Sequence, residues 1–235
     1  MKREPQRWLA LAGATLLAAL ALSPFMDARS DTSLAWHMVQ HLVLIFIVPV
    51  LFLLAHPGEW IETKIGTRLT VAIVRALHAQ PMRALTSPAA SLATLIFTLW
   101  VTHFTSLYEA ALQHPQVHLS EHLLFFVSGL FFWLPVTGAR PLRPLSYPAR
   151  LLYLFLALPQ GALLAVALYA ARAPLYPHYV TVLGSSAAAL ADQRTAAAIM
   201  WAGGGMIIFC ALLCVLGAWA RRERTATSTA ALGTQ

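Results

Sequence analysis

The stretch "WHMVQHLVLIFIVPVLFLLAHPG", Trp36 to Gly58, decides the fold. From Leu42 to Ala55 it is almost wholly apolar. A bilayer core about 30 Å thick takes about 20 apolar residues of helix, and the run from 34 to 55 supplies them. Its head is unusual. His37 and His41 stand there four residues apart, a spacing that puts two side chains on one helix face.

The rest of the chain is built in the same way. Of its 235 residues, 59% are hydrophobic and 11% charged, where a soluble domain has about 25% charged residues. The composition is that of a membrane protein. The net charge of +7 is therefore read as basic cytoplasmic loops and not as a nucleic-acid surface. Six apolar runs are long enough to span: 8–26, 34–55, 88–108, 117–137, 149–171 and 195–219. The expected fold is an all-α, polytopic bundle with six clear transmembrane helices. Segment 59–87 carries Lys64, Arg68, Arg75 and Arg83 among apolar residues. It reads as an amphipathic helix in the membrane interface, a seventh span being the alternative. The first run follows "MKREPQR", as a signal peptide would. Its exit, "SPFMDARS", lacks a small-x-small cleavage pattern, which favours a retained helix. Residues 1–220 read as a single transmembrane domain and 221–235, "RRERTATSTAALGTQ", as a flexible cytoplasmic tail.

Basic residues set the orientation. With both termini cytoplasmic, 13 of the 16 Lys and Arg lie inside, and only Arg29, Arg172 and Arg194 lie outside. This is a strong positive-inside bias. Span 2 then enters from the outside at His37 and His41. Span 4 does the same with His118 and His122, and span 3 ends outside near His103. His114 and His178 fall in outer loops, while His56 and His78 are inner. Five histidines on three helices share one depth. Ionisable residues within spans face the interior and mark function, so the layer reads as a metal or cofactor site. Imidazole suits copper, zinc, iron or nickel, and thioethers tilt the choice to copper. Met38 adjoins His37, Met26 ends span 1, and Met200 lies one or two turns into span 6.

Other polar residues join the layer. Glu121 sits beside His122 and Gln40 beside His41. Asp192, followed by Gln193, either orients an imidazole or caps the start of span 6. Cys210 and Cys214 are also four apart but lie in the inner half of span 6, and are read as packing residues. Pro159-Gln160 interrupts span 5, Pro49 kinks span 2, and Gly203, Gly204 and Gly205 invite close approach of another helix. "APLYPHY", Ala173 to Tyr179, reads as a rigid outer loop with interfacial tyrosines.

Taken in order, "HMVQH", "WVTHFTSLYEAAL", "HLSEHLLFFVSGLFFWLPV", "RLLYLFLALPQGALLAVAL", "APLYPHY" and "ADQRTAAAIMWAGGG" resemble the CtaG family, the assembly factors of caa(3)-type cytochrome c oxidase. The resemblance spans about residues 34–215. It implies a multi-pass protein of the bacterial inner membrane, needed for active oxidase, that handles copper and is not an enzyme. The implied partners are cytochrome c oxidase subunits and a periplasmic copper chaperone. The family's motif histidines fall on His37, His41, His103, His118 and His122, and its Asp-Gln pair on Asp192 and Gln193. Family members often show seven spans, against six clear ones here. A single-span copper chaperone of the same name shares nothing with this chain.

Two other functions compete on the residues alone. A b-type haem carrier takes two axial imidazoles from facing helices, which His41 and His122 would supply. A membrane zinc hydrolase needs a metal-bound water and a carboxylate base, for which Glu121 or Asp192 would serve.

Overall fold

The computed structural model describes residues 4–57, 71, 72, 75, 79–138 and 142–232. Most of segment 59–87 lies outside these residues, including His78 and the choice between an interfacial helix and a seventh span. The described residues contain no strand, as an all-α bundle requires. Their helices are α1 (Glu4–Ala21), α2 (Pro24–Thr32), α3 (Leu34–Leu54), α4 (Gln80–Leu85) and α5 (Pro88–Phe104). There follow α6 (Ser106–Gln113), α7 (Pro115–Thr137), α8 (Tyr147–Tyr169), α9 (Pro177–Leu183) and α10 (Ser186–Leu232).

Among them α3, α7, α8 and α10 are each long and apolar enough to cross a membrane. Two bent pairs, α1–α2 at 50° and α5–α6 at 69°, bring the number up to six where each pair is taken as one span. The breaks come from local chemistry. Ser23 accepts a hydrogen bond from the Met26 amide at 3.3 Å and is followed by Pro24, whose fixed φ suits a first helical turn. Thr105 caps α6 through the Leu107 amide at 3.2 Å. Helix α1 thus ends at Ala21 and α5 at Phe104, and the expected spans 8–26 and 88–108 run across these bends into α2 and α6.

Helix α3 is the hub. It packs against α1, α2, α7 and α10, while α8 lies along α10 and α7 against α5. In its most apolar stretch 61% of residues are buried, against 22% for α10. Pro49 does not simply kink it. Val43–Ile47 form a π-helical turn just before Pro49. Proline has no amide for the carbonyl of Ile45, and its ring crowds the preceding turn. A π-turn is one way a helix absorbs this. Gly129 of α7 crosses here: a Cβ on it would overlap the Ile45 carbonyl and stand 2.8 Å from Pro49 Cγ. Gly203 serves α10 in the same way, because a Cβ there would lie 2.9 Å from Leu42 Cδ1. Gly205, by contrast, faces open space.

Two further expectations change. Helix α8 runs unbroken through Pro159. Helix α10 continues to Leu232, where the sequence reading placed a loose tail from 221. Its last turns carry a hydrogen bond from Trp219 Nε1 to Glu223 at 3.0 Å.

Candidate metal centre

The fold brings the starts of α3 and α7 together, at the same end of the bundle as the end of α5. Four of the five expected histidines meet there. Their rings form a closed circuit: His37–His41 at 4.2 Å, His41–His122 at 5.7 Å, His122–His118 at 4.0 Å and His118–His37 at 5.1 Å between centroids. One nitrogen from each lies within 4.8 Å of the others. A tetrahedral ion with bonds of about 2.0–2.1 Å sets its nitrogens about 3.3 Å apart, so modest ring rotations close the set. Nε2 of all four histidines is buried without a hydrogen-bond partner. Unpaired polar atoms of this kind are rare in folded proteins, and four of them within one group of imidazoles fit a metal ion.

The tautomer of His37 follows from its neighbours. Tyr179 donates its only hydroxyl hydrogen to the Ser30 carbonyl at 2.8 Å. The same oxygen lies 3.0 Å from His37 Nδ1, so it accepts from Nδ1–H. That leaves the lone pair on Nε2, which is buried without a hydrogen-bond partner. Burial raises the Tyr179 phenol well above its usual range, so this hydroxyl keeps its hydrogen. Residues that hold a ligating imidazole in this way fix its orientation and basicity. The sequence reading placed Tyr179 among interfacial tyrosines and missed this role; its separation of 142 positions from His37 carries no local signal. Tyr108, fully buried, was also missed. Its ring packs 5.0 Å from His37 and 5.5 Å from His103 and stacks on Tyr176.

The supporting residues divide. Glu121 is buried with Oε2 3.7 Å from His41 Nε2, and neither carboxylate oxygen has a hydrogen-bond partner. It is the buried carboxylate that lies beside the imidazole group. Asp192 belongs to no imidazole. It accepts from Ser33 Oγ at 2.8 Å and from the Leu34 amide, so it caps α3 from α10 and does not cap the start of α10. Gln193 accepts from the Leu175 amide at 2.8 Å and donates to the Leu168 carbonyl at 2.9 Å, which secures the α8–α9 connection. Gln40 donates to the Ala21 carbonyl and to Asp27 and so fixes the α1–α2 bend.

His103 stands apart from the four. Its Nδ1 lies 2.8 Å from the Leu99 carbonyl, and its ring lies across Tyr108 and Phe125. It lines an apolar cavity of about 370 Å³ together with His41, Met38 and Met200. The two methionines therefore flank the histidine group on the cavity side. Cys210 and Cys214 are exposed on α10.

The packing bears on the competing chemistries. A haem between His41 and His122 would need the space of neighbouring rings: His37 is 4.2 Å and Phe125 4.3 Å from His41, and His118 is 4.0 Å from His122. A catalytic zinc keeps three protein ligands and an open position, whereas four imidazoles are gathered here.

The family model described as cytochrome c oxidase caa3 assembly factor (Caa3_CtaG) matches residues 2–222. An uncharacterized protein of Mycobacterium bovis is 23% identical over 232 residues, covering 93% of this chain and 35% of its own length. One from Mycobacterium leprae is 22% identical over 201 residues, covering 80% of this chain and 30% of its own. The chain thus spans about a third of the length of the curated relatives it matches. No solved structure matches it.

Proposed function

Because the chain belongs to the caa3-type cytochrome c oxidase assembly factor family, we propose that it is a membrane assembly factor, not an enzyme, that holds copper as cargo for an oxidase subunit. The observation that carries this reading is the group of four imidazoles on α3 and α7, three of them buried and each with an unpartnered Nε2. Imidazole accepts both copper and zinc; a role in cytochrome c oxidase assembly supports copper. Glu121 balances the charge of the ion beside His41, and Tyr179 keeps His37 ready as a ligand. His118 is only partly buried while His37 is fully enclosed, so the ion exchanges on the α7 side. By the positive-inside rule this end faces the periplasm of a bacterial inner membrane, where an oxidase subunit and a copper chaperone have access to it.

The test is elemental analysis of the anaerobically purified chain. Copper near one ion per chain, lost when His118 and His122 are both replaced by Ala, is the expected result. Cells carrying that double change make oxidase polypeptides with low activity. Normal copper in the double variant, or zinc alone in the parent, overturns the copper reading.

A further inference from the structure

The end of the bundle opposite the histidine group gathers positive charge. Helix α8 starts there, with Tyr147 in its first turn, and Trp219 of α10 lies beside it. The two rings stack, 6.5 Å apart and within 3° of parallel. Two guanidiniums, one from each helix, lie over the same Tyr147 ring: Arg150 at 4.8 Å and Arg222 at 5.9 Å from its centre. Each is attracted to the ring, but two like charges brought to one ring repel each other. Among the described residues neither pairs with a carboxylate. The adjacent acid, Glu223, accepts instead from Trp219 Nε1 at 3.0 Å. Arg150 donates from Nε to the Leu145 carbonyl at 2.7 Å, which fixes its guanidinium in place. The positive end of α8 adds to the charge, with no side-chain cap from Ser146.

An apolar groove begins beside this pair. It lies between α5 and α8, about 530 Å³ in volume, with Leu92 and Ile96 on one wall and Leu152 and Leu156 on the other. Its head is at Leu145 and Ala149, the residue that Arg150 bonds and the residue before Arg150. From Ala149 to Leu156 it follows α8 for about 10 Å, at 1.5 Å per residue. Leu152 and Leu156 are exposed on a helix long and apolar enough to span, so the groove opens to lipid.

We infer that this end of the bundle binds one anionic phospholipid, its phosphate held by Arg150 and Arg222 and an acyl chain lying in the α5–α8 groove. Guanidinium forks match phosphate oxygens, and an anion beside both relieves their repulsion. A zwitterionic headgroup would bring a third cation to the pair. Basic pockets between spans, with aromatic rings at the interface, suit anionic headgroups. The site shares no residue with the histidine group and does not depend on the copper reading.

The test uses the full chain in a neutral detergent, titrated with phosphatidylglycerol and with phosphatidylcholine of the same acyl chains, bound lipid being counted by native mass spectrometry. Phosphatidylglycerol is expected to bind at least tenfold tighter. Arg222→Gln changes an exposed side chain, so it leaves the fold intact and lowers that preference at least fivefold. Arg224→Gln is an equal change of charge nearly opposite on the same helix, and lowers it less than twofold. Ala93→Phe fills the groove from an exposed position and weakens phosphatidylglycerol at least fivefold. Metal content of the same samples stays unchanged, because the histidine group lies at the other end. Equal affinity of the parent for the two lipids, an undiminished preference in Arg222→Gln, or an equal loss in Arg224→Gln overturns the inference. Displacement of the lipid by inorganic phosphate or by a soluble acidic peptide overturns it too, in favour of a soluble anion.

Discussion

His37–His41 and Cys210–Cys214 obey the same rule: two soft-metal ligands four residues apart, on one face of a helix. They end differently. The histidine pair is buried against a second pair on α7, and one nitrogen of each of the four comes within 4.8 Å of the rest. The cysteine pair is exposed on the surface of α10 and, among the described residues, joins no second group of metal ligands. Spacing makes a shared face; what lies across from that face makes a site. Among the four long helices, the one carrying His37 and His41 is the most enclosed and the one carrying the cysteines the least.

The largest effect expected from this contrast is on metal content. His118→Ala with His122→Ala removes half the imidazoles and should empty the site, whereas Cys210→Ala with Cys214→Ala should leave bound metal unchanged and shift stability by no more than about 0.5 kcal/mol. Metal analysis and a thermal scan of both double variants check this. Copper lost from the cysteine variant would break the comparison. Next comes Tyr179→Phe, which keeps the ring and removes the hydroxyl that accepts from His37. Residues of this kind typically contribute about 10–100-fold to metal affinity, so a competition titration with a copper chelator should show a loss in that range.

Smaller effects test the frame that presents the histidine face. Gly129→Ala pushes a methyl into the Ile45 carbonyl and should cost about 1–3 kcal/mol of stability, as overpacking does; thermal unfolding in detergent measures it. Asp192→Ala removes the cap on α3 and should cost about 1–2 kcal/mol. Because this loosens the start of α3, hydrogen exchange at residues 34–37 should rise while α7 is unaffected.

Much of this was legible in the sequence because it is periodic. Spans show as apolar runs, and HxxxH shows as a repeated helical spacing, so His37, His41, His118 and His122 could be placed at one depth without coordinates. Rotation about each helix axis is not written in such patterns. His103 shares the depth of the four, yet its helix turns it toward the apolar cavity. Asp192 read as the cap of its own helix because capping is usually local; here it reaches a neighbour 158 positions away. Tyr179 was hidden for the same reason. The breaks at Ser23 and Thr105 were visible in principle, since Ser-Pro and Thr-Ser are start signals, but a long apolar run outweighed them. Segment 59–87 offered two readings, and most of it lies outside the described residues.

The π-turn at Val43–Ile47 has a consequence for how the protein tolerates length changes. Each residue of an α-helix advances the chain by about 100°, and the wider turn holds one residue more than a regular helix would. It therefore works as a phase shifter between two halves of one span, the upper half aimed by His37 and His41, the lower by its packing on Gly129 and α1. Removing one residue from 43–47 would return the span to regular winding with both halves near their seats, whereas removing one from a regular turn between them would rotate one half against the other by about 100°. If the lower half kept its seat, the histidine pair would swing away from α7, with every ligand still present in the sequence. The stretch that looks like plain hydrophobic filler is the angular setting of the site.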